Sequence, residues 1–152
     1  KSFSFYGERV GALSVVSGSA EEAERVMSQV KRVIRTNYSN PPTHGATIVS
    51  DVLNSPELNA LWQQELGEMR VRIKSMRELM VQQLKDKGAS QDFSFVTAQR
   101  GMFSYSGLNA EQVERLRVEF GIYAVSTGRI CVAALNLNNM NAVTDAIVAV
   151  CK

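Results

Sequence analysis

Several things that would signal a function are scarce in this sequence of 152 residues. Its two cysteines, Cys131 and Cys151, are too few for a disulfide framework, and neither sits in CxxC spacing. They fit reduced thiols of a cytosolic protein. One histidine, His44, together with two distant cysteines makes no metal-ligand cluster, so no metal is expected. The same scarcity argues against a Ser/His or Cys/His nucleophile. No apolar run approaches the ~20 residues that cross a bilayer, so no membrane partner is expected. Seventeen basic residues against fifteen acidic ones leave a net charge of +2, too little to recruit nucleic acid. A Walker loop, a dinucleotide fingerprint, repeats and low-complexity stretches are all absent. What is present is ordinary for a soluble globular protein: 45% hydrophobic and 21% charged residues. The length suits one domain, or part of a larger one, with a real core.

The opening Lys1-Ser2-Phe3-Ser4-Phe5-Tyr6-Gly7 reads like the middle of a domain, and the chain is expected to be processed or partial. Val10 to Val16 is a short apolar run ending at Ser17-Gly18, which predicts a buried strand. Ser19 with Glu22 three residues on is a capping-box pattern, and Ala23, Val26, Met27, Val30, Val33 and Ile34 recur at helical spacing; a helix is predicted over 20–37. Asn40-Pro41-Pro42 forces an extended segment, and a shorter helix follows over 43–53. Ser55, Pro56 and Gly88 bracket a helix of about 32 residues with an apolar stripe, Leu58 through Met69, Met76 and Met80 to Leu84. At 1.5 Å per residue it spans ~48 Å, long enough to bridge two domains. The methionines of that stripe read as core packing. The acidic and basic residues of this helix, Arg77 included, read as surface ion pairs or solvated groups. Beyond it, 93–96, 101–107, 122–125 and 130–133 are strand-like, and helices are predicted over 110–120 and 138–150.

Three arginines stand in unusual settings. Arg9 follows an aromatic loop and precedes an apolar run; Arg35 lies just before Tyr38-Ser39-Asn40-Pro41-Pro42; Arg129 sits between Gly128 and an apolar run. Arginine suits planar, bidentate recognition of carboxylate or phosphate, although a surface ion pair would also accommodate each of them.

These residues also belong to longer stretches that resemble a known family. Lys1-Ser2-Phe3 with Tyr6-Gly7-Glu8-Arg9-Val10-Gly11, then Arg35 to Pro42, Arg100-Gly101-Met102-Phe103-Ser104, and Ser126-Thr127-Gly128-Arg129 together resemble the aspartate and aromatic-amino-acid aminotransferases of the class I pyridoxal-phosphate family. The likeness runs in order along essentially all 152 residues. It implies an α/β fold, the C-terminal part of a fold-type I enzyme. The parts would be the end of the large α/β domain (1–69), a long bridging helix, and a small α+β domain (70–152).

The resemblance also implies roles. Lys1 looks like the catalytic lysine that is joined to the cofactor, pyridoxal 5'-phosphate. Arg9 is similar to the arginine that holds the cofactor phosphate. Arg129 matches the arginine that grips the substrate α-carboxylate, and Arg35 the one that reaches a dicarboxylate side chain in the neighbouring subunit's site. Phe103 resembles a wall of the substrate pocket. Ser39 resembles a pocket residue donated across a homodimer, and a plain turn role fits it equally. For this chemistry the Lys1 amine must shed its proton, so it must shift from ~10.4 towards neutrality. Once free it serves as general base at the substrate Cα.

The implied activity is transfer of an amino group between aspartate, glutamate or aromatic amino acids and a 2-oxo acid, in the cytoplasm. Ser4, Gly7, Arg100, Tyr105 and Cys131 favour the bacterial aromatic branch. The family's acidic partner for the pyridine nitrogen lies upstream of its lysine and has no counterpart here, so the chain alone should not complete a site. Two other readings stand beside this one. One is a non-catalytic structural fragment. The other is a decarboxylase or lyase using the same cofactor, against which the paired Arg35 and Arg129 argue.

Overall fold

Ser19 starts the first helix as its pattern predicts. In the computed structural model, which describes residues 2–152, α1 runs Ala20–Asn37. The Ser19 hydroxyl accepts from the Glu22 backbone N–H, and the Glu22 carboxylate turns back to the Gly18 N–H at 2.8 Å. The acid therefore caps one residue earlier than a standard capping box would have it. α2 spans His44–Asn54 and α3 spans Pro56–Asp86. The Ser55 hydroxyl accepts from the Leu58 N–H at the start of α3. Gly88 ends the helix with φ +71°, a backbone state that glycine adopts without a Cβ penalty.

The chain divides inside α3 into two units, Lys1–Gln64 and Glu65–Lys152. In the first unit the 8–10 loop is tied to α2. His44 Nδ1 lies 3.2 Å from Glu8 Oε2, and Gly45 packs directly on Val10 and Glu8. Phe3 stacks on Trp62 with ring centroids 4.6 Å apart.

The expected buried strand over 10–16 is not formed. These residues carry no ladder, and Leu13, Val15 and Val16 are exposed. A strand needs a neighbour to take its N–H and C=O groups, and the first unit has no other strand among the described residues.

The second unit holds the core. Met80 and Leu84 of α3 pack with Val96, Leu108, Leu116, Val132 and Ile147. One antiparallel ladder, β1 (Phe103–Tyr105) with β2 (Arg129–Cys131), sets Phe103 opposite Cys131 and Tyr105 opposite Arg129. α4 (Ala110–Phe120) has a full capping box from Asn109 and Gln112 and closes at Gly121, as its sequence predicts. α5 covers Met140–Val150, starting two residues later than expected.

Other expectations need correction. Residues 93–96 form a 3-10 turn, Ser94–Ala98, because the Asp92 carboxylate accepts from both the N–H and the hydroxyl of Ser94 and curls the chain. Residues 122–125 run outside any ladder, and β2 gives way to another 3-10 turn at Val132. Of the methionine stripe, Met80 is buried and Met76 packs on the core, but Met69 is exposed. Arg77 is no surface residue either, being only 4% exposed.

Candidate functional site

β1 has its alternation reversed. Its residue pattern is aromatic, serine, aromatic; Ser104 points into the protein while Phe103 and Tyr105 face outward. The reason lies in α3. Arg77 donates from Nε and Nη2 to the Ser104 hydroxyl at 3.2 and 3.1 Å, and from Nη2 to the Gly101 carbonyl at 2.7 Å. Burial, and secondarily the nearby Arg100 guanidinium, lower the Arg77 pKa. No carboxylate pairs with it among the described residues, so neutral oxygens carry the whole task of satisfying it.

With the serine inward, Phe103 is free to support a cation. The Arg129 guanidinium carbon lies 5.0 Å from the Phe103 ring centroid, within cation–π range. Among the described residues Arg129 has no ion pair, so its planar fork remains open to a carboxylate. The two residues line a cavity of about 280 Å³ with Tyr123, Val125, Ile130 and Cys131. This wall is otherwise apolar, with one exposed cation at its edge.

The approach to Arg129 is tightly built. Gly128 has φ +81°, and a Cβ there would stand 2.5 Å from the Leu108 carbonyl oxygen. Only glycine fits that position. Its N–H donates to Val125 O at 2.8 Å, and the Val125 N–H donates to Arg129 O at 3.2 Å.

In the first unit, Arg35 donates to the Ser39 hydroxyl at 2.5 Å. Ser39 follows the end of α1 with φ +69°, and its N–H returns to Ile34 O. The serine thus serves a helix-ending turn and also accepts from the arginine. Arg9, at φ +56°, is exposed and has no ion pair or side-chain hydrogen bond among the described residues. Arg32 and Arg70 share that freedom, so it does not single out Arg9. Lys1 lies outside the described residues. The structure therefore brings together two pairs of the expected residues, Arg129 with Phe103 and Arg35 with Ser39.

Sequence reasoning missed Ser104, Ser106 and Arg77. The signal for the two serines was the strict alternation Phe103-Ser104-Tyr105-Ser106, which marks a strand but does not say which face is inward, and Arg77 on α3 left no comparable signal.

Comparison with known proteins gives this geometry its class. The family model for class I and II aminotransferases matches residues 1–147, and the chain belongs to that family. It is 74% identical over 150 residues to an aspartate aminotransferase of Pseudomonas aeruginosa, and 51% identical over 150 residues to an aromatic-amino-acid aminotransferase of Escherichia coli. In each case the match covers 99% of this chain and 38% of the relative. The chain thus spans under two-fifths of the length of these curated relatives. Among solved structures, an aromatic-amino-acid aminotransferase from Burkholderia pseudomallei, covalently bound to pyridoxal phosphate, superposes with a TM-score of 0.96. The two are 69% identical, and the match covers 100% of this chain and 38% of that one. The fold is that of part of a fold-type I aminotransferase.

Proposed function

We propose that this chain is part of a pyridoxal-phosphate-dependent aminotransferase that moves an amino group between aspartate, glutamate or an aromatic amino acid and a 2-oxo acid. The observation that carries the reading is Arg129 lying on the Phe103 ring with its fork unpaired. The ring fixes the guanidinium without consuming its donors, and so prepares a bidentate seat for an α-carboxylate. The 74% identity to an aspartate aminotransferase and the 69% identity to an aromatic one support both substrate classes. The apolar wall beside Arg129 suits an aromatic side chain, while the accessible Arg35 suits a second carboxylate.

The residues present fit the cofactor in chemical type. Arg9, exposed and unpaired among the described residues, would hold the phosphate dianion, and Lys1 would carry the covalent link. When bound, pyridoxal phosphate supplies the sink for the electron pair left when the Cα proton departs. Lys1 Nζ takes that proton and returns it. Arg129 holds the carboxylate so that the Cα–H bond stays in reach, which meets part of the barrier by positioning. Arg35, steadied by Ser39, serves a dicarboxylate side chain in the site of a second subunit. The enzyme is accordingly read as a homodimer. Its free cysteines Cys131 and Cys151 accord with the cytoplasm.

The test is Arg129→Leu in the whole enzyme. The expected result is a loss of about 10²-fold or more in kcat/KM for aspartate and phenylalanine alike, with cofactor absorbance retained. An unchanged kcat/KM would remove Arg129 from substrate binding.

A further inference from the structure

The peptide carbonyl that precedes Arg129 is bonded by a buried residue, Ser106. Ser106 is 1% exposed, and its hydroxyl donates to the Gly128 carbonyl at 2.7 Å while accepting from the Leu108 N–H at 3.2 Å. Its own N–H donates to the same Gly128 carbonyl at 2.9 Å. The peptide just before Arg129 is therefore held twice by one serine. On its other side, Gly128 lies against the Leu108 carbonyl so closely that no side chain fits. One hydroxyl thus ties together the two backbone segments, 106–108 and 128–129, that meet beneath the arginine.

We infer that Ser106 is a positioning residue for carboxylate recognition: it sets the backbone from which Arg129 reaches across Phe103. This rests on the reading of Arg129 as the carboxylate arginine. Removing the hydroxyl leaves the Ser106 N–H bond and the β1–β2 ladder in place. The turn should therefore stay folded but lose its exact placement, and a misplacement of about 1 Å costs on the order of 10²-fold where a substrate must be held in one orientation.

The test compares alanine with ethylamine as amino donors for the whole enzyme, because the two differ only in the α-carboxylate. Single-turnover rates against concentration give a donor ratio for wild type, Ser106→Ala, Ser106→Cys and Arg129→Leu. Ser106→Ala should lower the alanine-to-ethylamine ratio by about tenfold, mostly through the apparent affinity for alanine, with the ethylamine rate within about twofold of wild type. Ser106→Cys keeps a weak donor of similar size and should fall between the two. If the alanine variant fails to fold, the cysteine variant decides alone.

A wild-type ratio in a folded Ser106 variant, with Arg129→Leu collapsing the ratio, would overturn the role of Ser106 and leave Arg129 standing. A wild-type ratio in Arg129→Leu would overturn the Arg129 reading and this inference with it. Equal losses with both donors in the Ser106 variants would mean that Ser106 is merely structural.

Discussion

The two units answer the same kind of sequence pattern differently. In the second, α3, α4 and α5 each present an apolar stripe, and residues of each stripe are buried: Leu84 is 0% exposed and Leu116 and Ile147 nearly so. In the first, α1 carries an equally regular stripe, yet none of its residues is buried, and Val33 is 64% exposed. Gly45 is the one buried residue among positions 3–64. Periodicity tells a helix which face is apolar; it does not supply what that face packs against.

The largest effect expected from this contrast is in the core. Leu84→Ala should cost about 2–5 kcal/mol, since it removes buried methyl groups and leaves a cavity. Val33→Ala should stay within about 0.5 kcal/mol, because an exposed side chain has little burial to lose. Denaturant midpoints of the two variants, made in the 152-residue chain to which these exposures belong, measure the contrast. A Val33→Ala cost in the range of Leu84→Ala would break it, by showing that the α1 face is covered in solution.

Arginines sharpen the same comparison at a smaller scale. Arg77→Ala strands the Ser104 hydroxyl and the Gly101 carbonyl that it now satisfies, at about 2–3 kcal/mol. Arg77→Met fills much of the volume but leaves the same two oxygens without a donor, so it should recover only a small part of that loss. Arg25→Ala, which breaks only the exposed α1 pair with Glu21, should not move the midpoint. If Arg77→Met recovered most of the loss, the bulk of the side chain rather than the guanidinium's hydrogen bonds would be holding β1 in place.

Much of this architecture was legible in advance, and the failures have physical causes. Caps and left-handed closures are local, so Ser19, Asn109, Gly88 and Gly121 announce their helices within a few residues. Strands depend on partners, which local sequence does not show. The run from Val10 to Val16 finds none among the described residues, and Phe93 to Val96 is diverted by the Asp92 side chain. Of the candidate site, Arg129 and Phe103 were visible as residue types in familiar stretches, and so were Arg35 and Ser39. The buried polar contacts behind them were not. The Arg77–Ser104 contact spans 27 positions and the Ser106–Gly128 contact 22, and neither leaves a periodic trace.

The smallest prediction separates the units most cleanly, because it applies the same chemical change to both. Ser19→Ala and Asn109→Ala each delete a side-chain acceptor at a helix start, a loss of about 1 kcal/mol to either helix. α4 is pinned by buried Val113 and Leu116, so it cannot fray without disturbing the core. The Asn109→Ala loss should therefore lower the denaturant midpoint of the second unit. α1 has no buried residue to hold it, so Ser19→Ala should open its first turns locally. Faster hydrogen exchange near 20–26, with the midpoint unchanged, is the expected record. A midpoint shift in Ser19→Ala as large as that in Asn109→Ala would mean that α1 melts cooperatively with a core, and the contrast between the two units would then be one of exposure alone and not of stability.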